Sequence, residues 1–189
     1  MEQKTTIRTL EEQRIEFSNR TFFAMPIAGL IAWLIVGISS LVLSVEQTVW
    51  VLFIATGSIA YLGMFISKFT GEDFMDKSKP KNTFDKLFLM STAMSILVYA
   101  IAIPFFMADY TSLPLSVGIL TSLMWLPFSW IIQHWIGIFH TVVRTLSIVG
   151  LWYLFPTDRF TTIPFFIVFI YIVTLIILRN RHRSISVTA

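Results

Sequence analysis

The side chains of this sequence best suited to chemistry in an apolar setting gather in one stretch, Trp130 to Arg144, which reads W-I-I-Q-H-W-I-G-I-F-H-T-V-V-R. Gln133, His134, His140 and Thr141 stand there in a run, residues 110–143, that holds no Asp, Glu, Lys or Arg, and Arg144 closes it. A guanidinium at membrane depth costs ~2.5–3.5 kcal/mol on insertion scales, so it is retained for a reason. On a helix starting near Ile136, Gly137, His140, Thr141, Arg144, Thr145 and Ser147 share one side, while Ile136, Phe139, Val142, Val143 and Leu146 take most of the rest. Arg144 then sits ~12 Å along that helix, just short of the midplane of a ~30 Å hydrocarbon core.

Two readings follow from those residues. In one, Arg144 cross-links helices through carbonyls and hydroxyls. In the other, Gln133, His140, Thr141 and Arg144 line a polar cavity for a small polar or anionic solute. No Asp or Glu lies within an apolar segment. The expected acceptors for Arg144 are therefore carbonyls freed at Pro127, the hydroxyls of Ser91, Ser95 or Ser129, an infolded Glu12 or Glu16, water, or an anionic solute. His140 one turn away makes a His–Arg pair, but without a carboxylate it is a weak proton-relay signal.

Other chemistry finds no residues to carry it. The sequence has no cysteine, which excludes disulfides, thiolate metal sites and Cys nucleophiles. His134, His140 and His182 show neither i,i+4 spacing nor carboxylate company, so no metal or haem site is expected. There is no glycine-rich phosphate loop, no Gly-x-Ser-x-Gly, no His-Glu-x-x-His and no polar segment large enough to hold a nucleotide. The expectation is a protein without cofactor that is not an enzyme.

The elements that must position this stretch are set by composition. Of 189 residues 56% are hydrophobic and only 13% charged, with mean hydropathy +0.76. That leaves too little polar surface for a water-soluble exterior. Six apolar segments, about 22–44, 49–69, 87–107, 115–132, 136–155 and 163–178, each approach the ~20 residues that cross a bilayer. The fourth and fifth lack a separator. One helix through both would extend far beyond the membrane, so the chain is split at Gln133–Trp135, which makes the two antiparallel neighbours.

Charge placement supports six spans. Lys4, Arg8, Arg14 and Arg20 precede the first; Lys68, Lys77, Lys79, Lys81 and Lys86 border the second connection; Arg179, Arg181 and Arg183 follow the last. An even count puts all three groups on one side, with Arg159 opposite, and the positive-inside rule then makes both termini cytoplasmic. The net charge of +3 is topological and is not a nucleic-acid signal. The first apolar run is too long for a signal peptide's hydrophobic region.

Residues 1–21 are expected to form a cytosolic amphipathic interfacial helix, with Thr9 and Glu12 as a capping box, a Glu16–Arg20 pair, and Ile7, Leu10 and Phe17 on one face. The connection 71–84, with Glu72, Asp73, Asp76 and several lysines, reads as a solvated loop that meets anionic lipid. Residues 179–189 read as a basic cytosolic tail. Ala24, Ala28 and Ala32 with Gly29 and Gly37 form a small-residue stripe that permits close helix approach, and Ala60, Gly63 and Ser67 suggest another. Pro104, Pro127 and Pro164 kink or end helices. Ile-Pro-Phe-Phe at 103–106 and 163–166 is out of phase for a repeat. Trp50, Trp130 and Trp135 suit membrane boundaries, and Trp33 and Trp125 the core.

Four of these pieces together resemble a family of small bacterial membrane proteins of unknown function. They are the charged N-terminal helix Glu11–Arg20, the small-residue first span Ala24–Gly37, the Lys/Pro loop Lys77–Asn82 and the late aromatic and arginine stretch Phe139–Trp152. The resemblance implies a six-span bacterial inner-membrane protein and supplies no activity.

The fold expected is thus an all-α, polytopic six-helix membrane bundle. It would act as a small transporter, channel or solute-binding protein around Arg144 and His140, or as a non-catalytic structural or regulatory subunit in which Arg144 only ties helices together. Its expected partners are the bilayer, anionic lipid at the Lys/Arg clusters, a small polar or anionic solute in the first case, and another copy or a membrane partner in the second.

Overall fold

A computed structural model describes residues 8–72, 74 and 80–188. Lys4, Ile7, Asp73, Asp76, Lys77 and Lys79 lie outside the described residues. The regular elements among those described are all helices: α1 Leu10–Ser18, α2 Ala24–Val42, α3 Val45–Gly57, α4 Ile59–Thr70, α5 Thr83–Leu97, α6 Tyr99–Ala108, α7 Leu113–Leu120 after a 3-10 turn, α8 Trp125–Ile132, α9 Ile136–Leu154 and α10 Arg159–Thr188. Five passes are long and apolar enough to cross a membrane: Ala24–Val42, Thr83–Ala108, Tyr110–Ile132, Ile136–Leu154 and Arg159–Ile185. The pair α3 and α4, bent by 49° at its break, makes a sixth if counted as one pass.

Local chemistry sets the boundaries. The second apolar segment starts at Val45 rather than Val49, because Ser44 and Gln47 form a capping box, their backbone N–H groups donating to each other's side chains at 3.2 and 3.3 Å. Gln133, at φ 50°, ends α8 in the left-handed region. The chain then doubles back so closely that a Cβ on Gly137 would lie 2.1 Å from the Trp125 carbonyl oxygen. The split expected at Gln133–Trp135 is therefore where the two helices separate.

The small-residue stripe of α2 is buried and makes that helix the centre of the bundle, packed on α10, α3 and α4. A Cβ on Gly29 would fall 2.4 Å from the Tyr171 ring, and one on Gly63 2.3 Å from the Met25 sulfur, so these glycines set how near α10 and α4 come. The α5–α6 pass stands at the edge, with most of its surface exposed.

One end is closed by a polar cap, in which α1 packs on the bundle and the described part of the connection 71–84 is drawn in. Thr9 and Glu12 do form the capping box. Leu10, however, points outward, and Phe17 is the buried residue of α1, packed on Phe22, Phe84 and Phe88. The amide of Asn82 donates to the Gln13 carbonyl at 2.7 Å, and Thr83 N–H to the Gln13 side chain at 2.8 Å. Glu72 is buried rather than solvated. Its Oε1 accepts the backbone N–H groups of Phe23 (2.7 Å) and Ala24 (2.9 Å), capping the first pass from the far connection. The basic tail is not free either, because α10 runs on through it and Arg181 donates to the carbonyls of Ser18 (2.6 Å) and Ile132 (3.3 Å).

Candidate functional site

α9 carries Arg144, His140 and Thr141 inward, and all three are buried. Arg144 is wholly enclosed. Its Nη1 donates to His140 Nε2 at 3.2 Å and to the Tyr171 hydroxyl at 3.4 Å, and its Nη2 to Thr121 Oγ1 at 3.1 Å. Its guanidinium carbon lies 5.4 Å from the Trp33 ring centroid and 5.5 Å from that of Tyr171. Four passes thus converge on one side chain: Trp33 from α2, Thr121 at the end of α7, His140 from α9 itself and Tyr171 from α10.

The hydrogen bonds fix the imidazole tautomer. Arg144 can only donate, so Nε2 of His140 accepts and the ring proton sits on Nδ1, which donates to Thr174 Oγ1 at 2.9 Å. The Thr174 hydroxyl in turn donates a hydrogen bond to the Ile170 carbonyl at 2.8 Å. The ring is clamped on both sides, stacked on Trp125 at 4.2 Å between centroids and meeting Tyr171 edge to face at 4.9 Å. Thr141 donates to the Ser122 carbonyl at 2.8 Å, in the break between α7 and α8.

The structure separates the expected site residues. It brings His140, Thr141 and Arg144 into one layer and leaves Gln133 exposed at the turn, held there by its C-cap position at the end of α8. The expected acceptors for Arg144 are also replaced. Ser129 binds the His134 carbonyl, Ser91 the Leu87 carbonyl, Glu12 its own cap, and Glu16 the side chains of Arg20 (2.7 Å) and Arg8. The acceptors used, Thr121, Tyr171 and the His140 ring, are uncharged. No ion pair among the described residues reaches Arg144.

Three hydrogen bonds to a charged group contribute ~1.5–3 kcal/mol each at most, and these are longer than the ~2.7–2.9 Å of strong charge-assisted bonds. With two aromatic faces adding up to ~2 kcal/mol when desolvated, they offset an insertion cost of ~2.5–3.5 kcal/mol without a carboxylate. The balance is incomplete in one respect: Arg144 Nε, Trp33 Nε1 and Thr145 Oγ1 are buried with no hydrogen-bond partner.

Near the turn, burial and then the positive charge of Arg181 hold the His134 imidazole below its ordinary value. In the cap, burial opposes ionisation of Glu16, but Arg20 and Arg8 outweigh it and lower its carboxyl pKa. Among the described residues no group of three or more His, Cys, Asp or Glu is placed to hold a metal ion.

An all-helical chain with five apolar passes, a bent sixth candidate and a buried arginine on one of them is a multi-pass membrane protein. Within that class, the chain belongs to the family of unknown function DUF7010, which matches residues 10–181. No curated protein and no solved structure matches it.

Proposed function

We propose that this is a six-span protein of the bacterial inner membrane with both termini in the cytoplasm, serving as a structural or regulatory membrane subunit in which Arg144 ties α7, α9 and α10 together. The observation that carries the reading is the complete enclosure of Arg144 among uncharged donors and acceptors from separate helices. The topology rests on charge: Arg8, Arg14, Arg20, Lys81 and Lys86 lie at the end where Arg181 docks on the α1 and α8 carbonyls, and Arg159 lies before the last pass. The basic groups at that end meet anionic lipid.

A second reading is favoured by the unpartnered Nε of Arg144 and the lack of a carboxylate: a small polar or anionic solute completes the site, and the protein binds or transports it. Arg144→Leu separates the two. As a cross-link, its loss lowers the melting temperature in detergent, and any deletion phenotype follows the amount of folded protein. A variant that melts like the wild type yet fails to complement supports the solute reading instead. A C-terminal reporter found outside the cytoplasm would sink the six-span topology.

A further inference from the structure

At the end of the bundle opposite the cap, where α2 finishes and Ser44 starts α3, a cleft of about 470 Å³ opens beside the α5–α6 pass. Glu46, Val49, Trp50 and Phe53 of α3 form one wall; Phe106 of α6 and Tyr110, just past its end, form the other. We propose that this cleft holds a phospholipid whose headgroup carries a primary ammonium. The ammonium sits on the Glu46 carboxylate, the phosphate beside the Trp50 indole and the Tyr110 hydroxyl, and the upper acyl chain along Val49, Phe53 and Phe106.

Polarity is graded along the cleft as it is along a lipid. The α3 residues share one helical face, and Phe53 lies ~10 Å deeper than Glu46 at 1.5 Å per residue. Carboxylate, indole and phenol thus stand at the outer end, all three residues exposed, while Val49 is buried and the deeper wall is purely apolar. Below it the walls close: Phe53 meets Phe106 edge to face at 5.5 Å, and the Thr56 and Tyr99 hydroxyls hydrogen-bond at 2.6 Å. A soluble ion would use only the rim. An amphiphile uses both levels, and it reaches them from the bilayer because the α5–α6 pass leaves most of its surface exposed. The volume lies within the ~300–1,000 Å³ of ligand pockets, enough for a headgroup and the start of a chain.

Charge selects the headgroup. Among the described residues Glu46 makes no ion pair and no side-chain hydrogen bond, and the Trp50 indole and Tyr110 hydroxyl have no partner either. No Lys or Arg lines the cleft. Arg159, the basic residue near this end, is already held by the Trp152 ring at 3.7 Å and by Thr111 at 2.6 Å. An anionic headgroup would therefore meet Glu46 with no cation to offset it. A primary ammonium donates N–H hydrogen bonds to the carboxylate, which a quaternary one has none to give, and indole and phenol are the donors a phosphate needs. Trp50 and Tyr110 are also the residue types that sit at headgroup level.

The test is native mass spectrometry of the full chain in an uncharged detergent, titrated separately with phosphatidylethanolamine, phosphatidylglycerol and phosphatidylcholine of the same chains. Phosphatidylethanolamine is expected to bind at least about fivefold tighter than phosphatidylglycerol, the scale of one half-solvated charge pair. Glu46→Gln should reduce that preference to about twofold or less and Glu46→Lys should reverse it, while Glu11→Gln, an exposed carboxylate at the capped end, leaves it unchanged. Trp50→Phe combined with Tyr110→Phe removes both phosphate donors and should weaken phosphatidylethanolamine at least about threefold, which keeps the test decisive if circular dichroism shows a Glu46 variant misfolded. Equal affinity for phosphatidylethanolamine and phosphatidylglycerol, phosphatidylcholine binding as tightly, or a preference that survives Glu46→Gln overturns the proposal. So does displacement of the lipid by an equal concentration of chainless glycerophosphoethanolamine, which would assign the cleft to a soluble ion, or a dimer that excludes lipid, which would assign it to a second copy.

Discussion

The molecule holds arginines in two contrasting regions. In the cap, Arg8, Arg14 and Arg20 face the carboxylates of Glu11, Glu16 and Asp85, with their side chains partly open to solvent. In the core, Arg144 has no carboxylate, is fully enclosed, and is held by a hydroxyl, a phenol, an imidazole and two aromatic faces. Near the other end Arg159 is intermediate: it lies 3.7 Å from the Trp152 ring centroid and donates to Thr111 at 2.6 Å. The contrast shows where charge pairing contributes stability. Half-solvated ion pairs add little and are screened, whereas a guanidinium inside the bundle cannot lose a partner without leaving polar atoms stranded.

The largest effect is expected where core helices touch without side chains between them. Gly137→Ala places a Cβ 2.1 Å from the Trp125 backbone carbonyl, and backbone cannot swing aside. It should cost ~3 kcal/mol or more and spread the α8–α9 hairpin beneath Thr141 and Arg144, read as a lowered detergent melting temperature. Gly150→Ala, with nothing within 4 Å of the new Cβ, is the control on the same helix and should stabilise by ~0.5–1 kcal/mol. If the two substitutions behaved alike, close approach would not be what sets the layer.

Next comes the layer itself. Arg144→Leu strands His140 Nε2 and the Tyr171 hydroxyl and should cost ~2 kcal/mol, with Arg144→Gln costing less because it still donates. In the cap, Arg20→Ala should cost ~1 kcal/mol or less, and the loss should shrink in high salt. An Arg20 effect as large as that of Arg144 would erase the contrast between the regions.

Acid should sharpen it. Glu16 has a folded-state pKa below the ordinary 4.5, so its contribution is complete above that value and is lost as pH falls through the folded one. His134 has a folded-state pKa below 6.5, so the neutral ring favours the folded state above about pH 6.5 and opposes it as the ring is protonated below. Both shifts loosen the capped end on acidification. Hydrogen exchange at the Gln133 turn should accelerate from pH 7.5 to pH 5, beyond the intrinsic pH effect, and exchange in α1 only below about pH 4.5, while α9 around Arg144 stays protected.

The two regions also differ in how much the sequence revealed. Local patterns were legible: the Thr9–Glu12 capping box, the Glu16–Arg20 pair, the small-residue stripe of α2 and the break at Gln133 all rest on residues a few positions apart. The inward face of α9 was legible too, because His140, Thr141 and Arg144 share a helical side. Their partners were not. Thr121, Tyr171, Thr174 and Trp33 come from other passes, and only the packing of α2 on α10, with Gly29 making room for Tyr171, determines which of them meet Arg144. Gln133 was assigned to the cavity for its polarity, yet a left-handed C-cap turns it outward. Glu72 was grouped with the loop's other charges, because a contact with Phe23 and Ala24 crosses two passes and leaves no pattern in the sequence.

The central claim is that the Arg144 layer is sealed from water. The natural absence of cysteine allows a direct test with single cysteines. Thr174→Cys, at the fully buried hydroxyl that holds His140, is compared with exposed Lys86→Cys in membranes opened to both sides, using a charged, membrane-impermeant thiol reagent. Labelling of Cys at 86 with Cys at 174 left unmodified is the predicted result; modification of both at similar rates would show a water path to Arg144 and contradict the account.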